Sequence, residues 1–217
     1  MGCCAPPAPE QRECGHRIDE ARTTMTALIL GLILFLGAHS VRIVADDWRS
    51  AQIARRGPGA WKGLYTLVSL LGFGLIVWGY GQARQQPVAL WTPQLWARHL
   101  AALLMLFSFI LLVAAYVPKN GIKSAVHHPM VLSVKVWAFA HLLANHTLAD
   151  LLLFGSFLVW AVLDFRSARQ RDRAAGTVYP PGTVAGTLTA VVVGVAVWAL
   201  FAFWAHAWLF GVSPMGR

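Results

Sequence analysis

Histidine is the residue type that offers the most chemistry in this chain. Seven of the eight histidines follow residue 24, and imidazole is a good ligand for zinc, copper and iron, including haem iron. The P-loop, nucleophile-elbow and H-E-x-x-H patterns do not occur in the sequence. No pair of carboxylates lies inside an apolar run either, so the sequence argues against hydrolytic and nucleotide-driven functions.

His39 and His141 lie furthest inside apolar runs, where an ionisable side chain is costly and suggests a function. Two interpretations are open for this pair. Each histidine ligates a metal such as haem iron, or each is a neutral imidazole that is hydrogen-bonded between helices. Arg42 follows His39 by about one turn, so it is either a partner for a haem propionate or a flanking positive charge.

His128 precedes Pro129, and proline is favoured as the first residue of a helix, so we expect His128 near an N-cap. About 20 Å of helix separates it from His141, so the two cannot share one metal ion. His128 therefore has a structural role or touches the edge of a larger ligand. Four predicted helix ends carry a second candidate metal site: His99, His146, Asp150 and His206. The alternative is that these histidines are merely scattered along the membrane interface.

The apolar runs around these residues predict an all-α fold, a polytopic transmembrane bundle of about six helices. Apolar types make up 57% of the 217 residues and charged types 12%, whereas soluble domains are about 25% charged. Runs of about 20 apolar residues are long enough to cross a bilayer. The predicted spans are 26–45, 64–81, 100–117, 129–146, 148–163 and 183–210.

The turn between the fourth and fifth predicted spans has its own local signal. Thr147 and Asp150 form the pattern of a capping box, which starts a new helix. A single helix across 130–165 would also be too long for one crossing. We therefore predict a tight hairpin at this point.

Lysine and arginine predict the orientation of the bundle. Twelve of the 18 follow the first, third and fifth predicted spans or lie just inside the fourth, and positive loops face the cytoplasm. The loops 46–62, 118–128 and 166–182 are therefore predicted to be cytoplasmic, with both termini on the opposite side. Because the basic residues lie in short loops, the net charge of +9 indicates topology rather than nucleic-acid binding.

Residues 1–24 are polar and proline-rich, and they hold all three cysteines. Their spacing with His16 matches no standard zinc motif. We predict that 1–24 is a disordered or mis-annotated N-terminal extension, with Met1 and Met25 as alternative starts, and that 25–212 is the membrane domain.

From Met25 onward the sequence resembles the NnrU family of bacterial membrane proteins. The resemblance covers about residues 25–210, and three motifs carry it: G-A-H-S-V-R at 37–42, H-P at 128–129 and W-A-F-A-H-L-L-A-N at 137–145. It implies a multi-pass protein of the bacterial inner membrane, and the orientation predicted from lysine and arginine then places both termini in the periplasm. The family is named after genes associated with nitrite and nitric oxide reduction, which implies a redox role in that metabolism.

The NnrU family is similar to plant and cyanobacterial zeta-carotene isomerase, an integral membrane haem b enzyme. The similarity implies haem b as cofactor, with His39 and His141 as iron ligands and Arg42 and His128 as further cofactor contacts. The isomerase has a cysteine three residues before its second histidine, where this chain has Ala138.

Two functional classes follow from these observations. The first is a haem protein with a redox or isomerase-like activity, and the second is a cofactor-free accessory protein or small transporter. The expected partners are the lipid bilayer and a hydrophobic small-molecule substrate or an electron donor, and not nucleic acid.

Overall fold

The computed structural model describes residues 9–92 and 94–215, with side chains from Met25 onward. The chain divides after Val88 into two compact units. The first unit contains α1 (Pro9–Val44) and α2 (Asp46–Ala83). The second contains α3 (Leu95–Tyr116), α4 (Gly121–Val126), α5 (Pro129–Ala144), α6 (Leu148–Ala175), α7 (Val184–Leu200), a π-helical turn (Phe201–Ala205) and α8 (His206–Phe210).

In the first unit, the backbones of α1 and α2 approach each other closely, because glycines lie where the two helices meet. A Cβ atom on Gly72 would lie 2.7 Å from the amide nitrogen of Phe35, and one on Gly79 would lie 2.5 Å from that of Leu28. Small residues allow this approach between membrane helices, where dispersion contacts replace the hydrophobic drive available in water.

Helix α2 is interrupted at Gly57, which has φ +81°, and Pro58 follows immediately. Glycine adopts positive φ without a steric penalty, and proline has no N–H for an intrahelical bond. The segment 46–62, predicted as a loop, is therefore helical on both sides of one break. Asp46 and Asp47 stabilise its start because acidic side chains interact favourably with a helix N-terminus.

In the second unit, α3 packs against α5 and α7, and α5 packs against α6. The hydroxyl of Ser108 donates to the carbonyl oxygen of Ser133 over 2.9 Å, which joins α3 to α5. Trp198 Nε1 donates to the carbonyl oxygen of Ala102 over 3.2 Å, which joins α7 to α3. These bonds satisfy polar groups between largely apolar helices.

Asn120 closes the end of α3 and begins α4. Its buried side-chain amide donates to the carbonyl oxygens of Ala114 and Val117, over 2.9 and 2.6 Å. Its side-chain oxygen accepts the N–H of Lys123 over 2.8 Å. One side chain thus satisfies two carbonyls at the end of one helix and an N–H at the start of the next.

Within residues 9–92 and 94–215, five helices are long and apolar enough to cross a membrane: Met25–Val44, Asp46–Ala83, Leu95–Tyr116, Leu148–Ala175 and Val184–Phe210. This confirms the all-α polytopic prediction. The predicted fourth span corresponds to α5, which has 16 residues and is about 24 Å long. It is shorter than the hydrocarbon core of about 30 Å.

The predicted hairpin between α5 and α6 is confirmed. Helix α5 ends at Ala144, and Asn145 is extended. The Thr147 side chain accepts the N–H of Asp150, and the Asp150 carboxylate accepts the N–H of Thr147 over 3.0 Å. This reciprocal capping box begins α6.

Helix α1 begins at Pro9, so the backbone of residues 9–24 continues the first span as helix. Residues 1–8, with Cys3 and Cys4, lie outside the described part of the chain. The assignment of 1–24 to a region separate from the membrane domain stays a prediction.

Candidate functional site

His141 lies in the last turn of α5, and its ring is fixed by a backbone hydrogen bond. Its Nδ1 atom is 2.9 Å from the carbonyl oxygen of Trp137. Because a carbonyl oxygen only accepts, Nδ1 must carry the proton, and in the neutral ring the lone pair is on Nε2. Metal-ligating histidines commonly donate their second ring N–H to a backbone carbonyl in this way. His141 therefore has the tautomer that a metal ligand needs.

Two aromatic side chains lie against the ring of His141. Phe154 stacks on it with the ring centres 4.6 Å apart, and the ring of Trp137 lies at 5.3 Å. Ala138, at the position of the isomerase cysteine, is fully buried and has no side-chain donor atom. The two rings give His141 an apolar contact surface, while Asp150 and His206 lie within electrostatic reach of the imidazole.

His39 makes the same hydrogen bond on α1. Its Nδ1 atom lies 2.6 Å from the carbonyl oxygen of Phe35, four residues earlier. The ring stacks on Phe35 at 4.2 Å and approaches the ring of Tyr65 at 5.2 Å. Arg42 lies in the last turn of α1 and is exposed. His39 therefore also has its Nδ1 proton engaged and its lone pair on Nε2.

His128 is the N-cap residue of α5, as predicted, but its side chain bonds elsewhere. Its Nε2 atom lies 2.8 Å from Oδ2 of Asp172, near the end of α6. Tyr179 donates its hydroxyl to the same oxygen over 2.9 Å, and His127 stacks on the Tyr179 ring at 4.2 Å. This supports the structural alternative for His128, and its contact with a cofactor stays a prediction.

Sequence reasoning missed Asp172 and Tyr179, because 44 residues separate His128 from Asp172. Burial is the largest of the effects that raise the pKa of the Tyr179 phenol above its ordinary value, and the hydrogen bond to Asp172 is the next largest. The carboxylate thus faces two donors, and the phenol stays protonated. We name His127, His128, Asp172 and Tyr179 the α5–α6 polar cluster.

The second candidate set is not grouped as metal ligands in the described part of the chain. His99 is exposed, and the Asp150 carboxylate is engaged in the capping box. The Nδ1 atom of His206 lies 2.7 Å from the carbonyl oxygen of Val212. Within the described residues, no three histidine, cysteine or acidic side chains are grouped so that they could hold a metal ion.

The long apolar helices and the histidines set into them define a polytopic α-helical membrane protein. The family model described as NnrU protein matches residues 27–214, so the chain belongs to the NnrU family. No curated protein and no solved structure gives a significant match.

Proposed function

We propose that this NnrU-family protein binds haem b, with His39 and His141 as ligands of the iron. The observation that carries the proposal is that both rings make the same kind of hydrogen bond, each to the backbone of its own helix. Each ring donates its Nδ1–H to a carbonyl oxygen four residues earlier, so Nε2 holds the lone pair. Neutral imidazole in this tautomer is the usual protein ligand of haem iron.

The chain's own residues contribute orientation and an apolar environment. The bonds to Phe35 and Trp137 limit rotation of the two imidazoles, and the bond makes each ring a stronger base. Phe154 and Trp137 cover the ring of His141 and limit its contact with water. Arg42 supplies a guanidinium that suits a propionate, since such pairs form charge-assisted hydrogen bonds.

When bound, haem would supply one-electron redox chemistry. His39 and His141 would both hold the iron, which would suit electron transfer and would leave no open site on the iron for a substrate. We therefore propose a redox role for this NnrU-family chain. Because the family is named after genes associated with nitrite and nitric oxide reduction, we propose that the role belongs to that metabolism. A hydrophobic small molecule or an electron donor would be the reaction partner.

Carotenoid-isomerase-like activity is a narrower alternative, because it would require one axial ligand to leave. Ala138 offers no atom that could replace His141 on the iron. We therefore rank electron transfer above isomerisation for this chain.

We also propose that the protein resides in the bacterial inner membrane, with the loops 46–62, 118–128 and 166–182 in the cytoplasm and both termini in the periplasm. The distribution of lysine and arginine supports this orientation.

The test is to purify the full-length protein in mild detergent from haem-replete cells. We expect a Soret band, about one haem b per chain by pyridine haemochrome assay, and a low-spin spectrum without thiolate character. A colourless preparation from haem-replete cells would contradict the proposal. It would favour the second class, a cofactor-free accessory protein or small transporter.

A further inference from the structure

Three arginines line one face of α6 just beyond its apolar part. Arg166, Arg169 and Arg173, together with Phe165 and Gln170, surround a pocket of about 340 Å³. Their spacing of three and four residues brings the arginines to the same side of the helix. The pocket therefore presents three guanidinium groups to one space.

These guanidinium groups make no direct ion pair with a carboxylate in the part of the chain that the structure describes. Within the described residues, none of the three arginines forms an ion pair or a side-chain hydrogen bond. The nearby Asp172 lies within electrostatic reach of Arg169, but its Oδ2 atom accepts from His128 and Tyr179. The positive charge of the pocket is thus largely uncompensated.

Counted along α6 from the end of its apolar run, Arg166 falls in the headgroup region where lipid phosphates are found, and Arg169 falls just beyond it. The apolar run of α6 ends at Leu163, so Arg166 and Arg169 follow it by about 5 and 9 Å along the helix. The headgroup region extends about 5–8 Å beyond the hydrocarbon core on each side. Arg173 lies about one turn further out, toward water.

The membrane side of the pocket also carries positive charge. Lys135 of α5 places its Nζ atom 5.3 Å from the centre of the Phe165 ring, a cation–π distance. Phe165 thus adds an aromatic ring to the lining and holds a fourth cation beside the three arginines.

We propose that this pocket binds the phosphodiester headgroup of an anionic phospholipid. A guanidinium group can donate two parallel hydrogen bonds to two oxygens of one phosphate, which adds geometric selectivity to the charge attraction. Basic pockets on membrane helices attract anionic lipids over zwitterionic ones. This site does not include His39 or His141 and does not depend on haem.

The experiment measures lipid binding to the full-length protein in mild detergent by native mass spectrometry. Phosphatidylglycerol and cardiolipin are titrated in parallel with phosphatidylcholine, and inorganic phosphate is added as a competitor. The test variant is Arg166→Gln/Arg169→Gln/Arg173→Gln. The matched control is Arg55→Gln/Arg56→Gln/Lys62→Gln, which removes the same three positive charges from exposed positions on α2.

We expect the wild-type protein and the α2 control to retain anionic lipid, and the α6 variant to bind it about 100-fold more weakly. The variant Arg166→Lys/Arg169→Lys/Arg173→Lys keeps the charge without the paired donors, so it should lose less than the glutamine variant. Unchanged circular dichroism spectra would confirm that the variants fold.

Three results would overturn the proposal. The first is equal binding of phosphatidylcholine and phosphatidylglycerol to the wild-type protein. The second is an equal loss of binding in the α6 variant and the α2 control, which would indicate bulk charge alone. The third is displacement of the lipid by millimolar inorganic phosphate, which would make the pocket a site for soluble phosphate. If the glutamine variant does not fold, lipid binding by the lysine variant becomes the test.

Discussion

The Nδ1 atom of His141 lies 2.9 Å from the carbonyl oxygen of Trp137, one turn earlier on the same helix. His39 repeats this relationship with Phe35 on α1. A hydrogen bond within one helix needs no distant partner, so the tautomer of each ring is set locally. Nε2 is then the atom that can bind iron.

Replacement of either histidine should remove the haem. We expect His39→Ala and His141→Ala each to lower haem retention at least tenfold, because each variant lacks one axial ligand. His127→Ala and His146→Ala should retain the wild-type Soret band and stoichiometry. Pyridine haemochrome assays on the four purified proteins measure this. A wild-type band in His141→Ala would show that the site is misplaced.

The α5–α6 polar cluster should contribute to stability independently of haem. Asp172→Asn removes the negative charge on the oxygen that accepts from both His128 and Tyr179, and we expect it to lower the free energy of unfolding. Because the carboxylate disfavours the phenolate, the pKa of Tyr179 should fall in this variant, although burial still keeps it raised.

Ultraviolet difference titration measures the tyrosine pKa values, and thermal unfolding in detergent measures the stability. Tyr179→Phe serves as the control, since it removes the titrating phenol and keeps the carboxylate–histidine bond. An unchanged tyrosine titration in Asp172→Asn would mean that the hydroxyl does not bond to Asp172.

The close packing of α1 against α2 predicts opposite effects for two neighbouring glycines. Gly72→Ala places a methyl group against the backbone of Phe35 and should cost about 1–3 kcal/mol of stability. Gly74→Ala has open space around its Cβ and should stabilise the helix by about 0.5–1 kcal/mol. Thermal unfolding of both variants checks this, and equal midpoints would contradict the packing.

Asn120 is expected to be a stability determinant of the second unit. Asn120→Ala leaves the carbonyl oxygens of Ala114 and Val117 without a donor and should cost about 1–3 kcal/mol of the free energy of unfolding. Asn120→Asp keeps the acceptor for Lys123 but loses both donated bonds, so it should not recover this loss. Asn145→Ala is the milder control, because the Asn145 side chain makes one hydrogen bond, to the carbonyl oxygen of His141. A larger effect at Asn145 would contradict this assignment.

Reporter fusions test the orientation of the bundle. Alkaline phosphatase fused after Arg56 or Arg171 should be inactive, because both positions lie in loops assigned to the cytoplasm. A fusion after Arg84 should be active. The reverse activities would invert the topology. A further fusion at the C-terminus tests whether the short α5 crosses the membrane, since an uncrossed α5 would move that terminus to the cytoplasm.

Local chemistry was sufficient for much of the architecture. Apolar length predicted the spans, Pro129 predicted the start of α5, and Thr147 with Asp150 predicted the start of α6. Each of these signals acts between residues a few positions apart. Hydropathy failed for the polar segment 46–62, because a helix outside the apolar run carries no hydrophobic signal.

Only the tertiary structure decided the partners of residues that are distant along the chain. His128 was correctly predicted at a helix start, but its bond to Asp172 depends on the antiparallel packing of α5 and α6. The arginine pocket likewise required α6 to continue as helix beyond Leu163, where the sequence predicted a loop. Sequence patterns encode local effects, such as the start, end or capping of the helix in which a residue lies. The side chains that meet across helices are set by packing, which brings together residues that no local spacing relates.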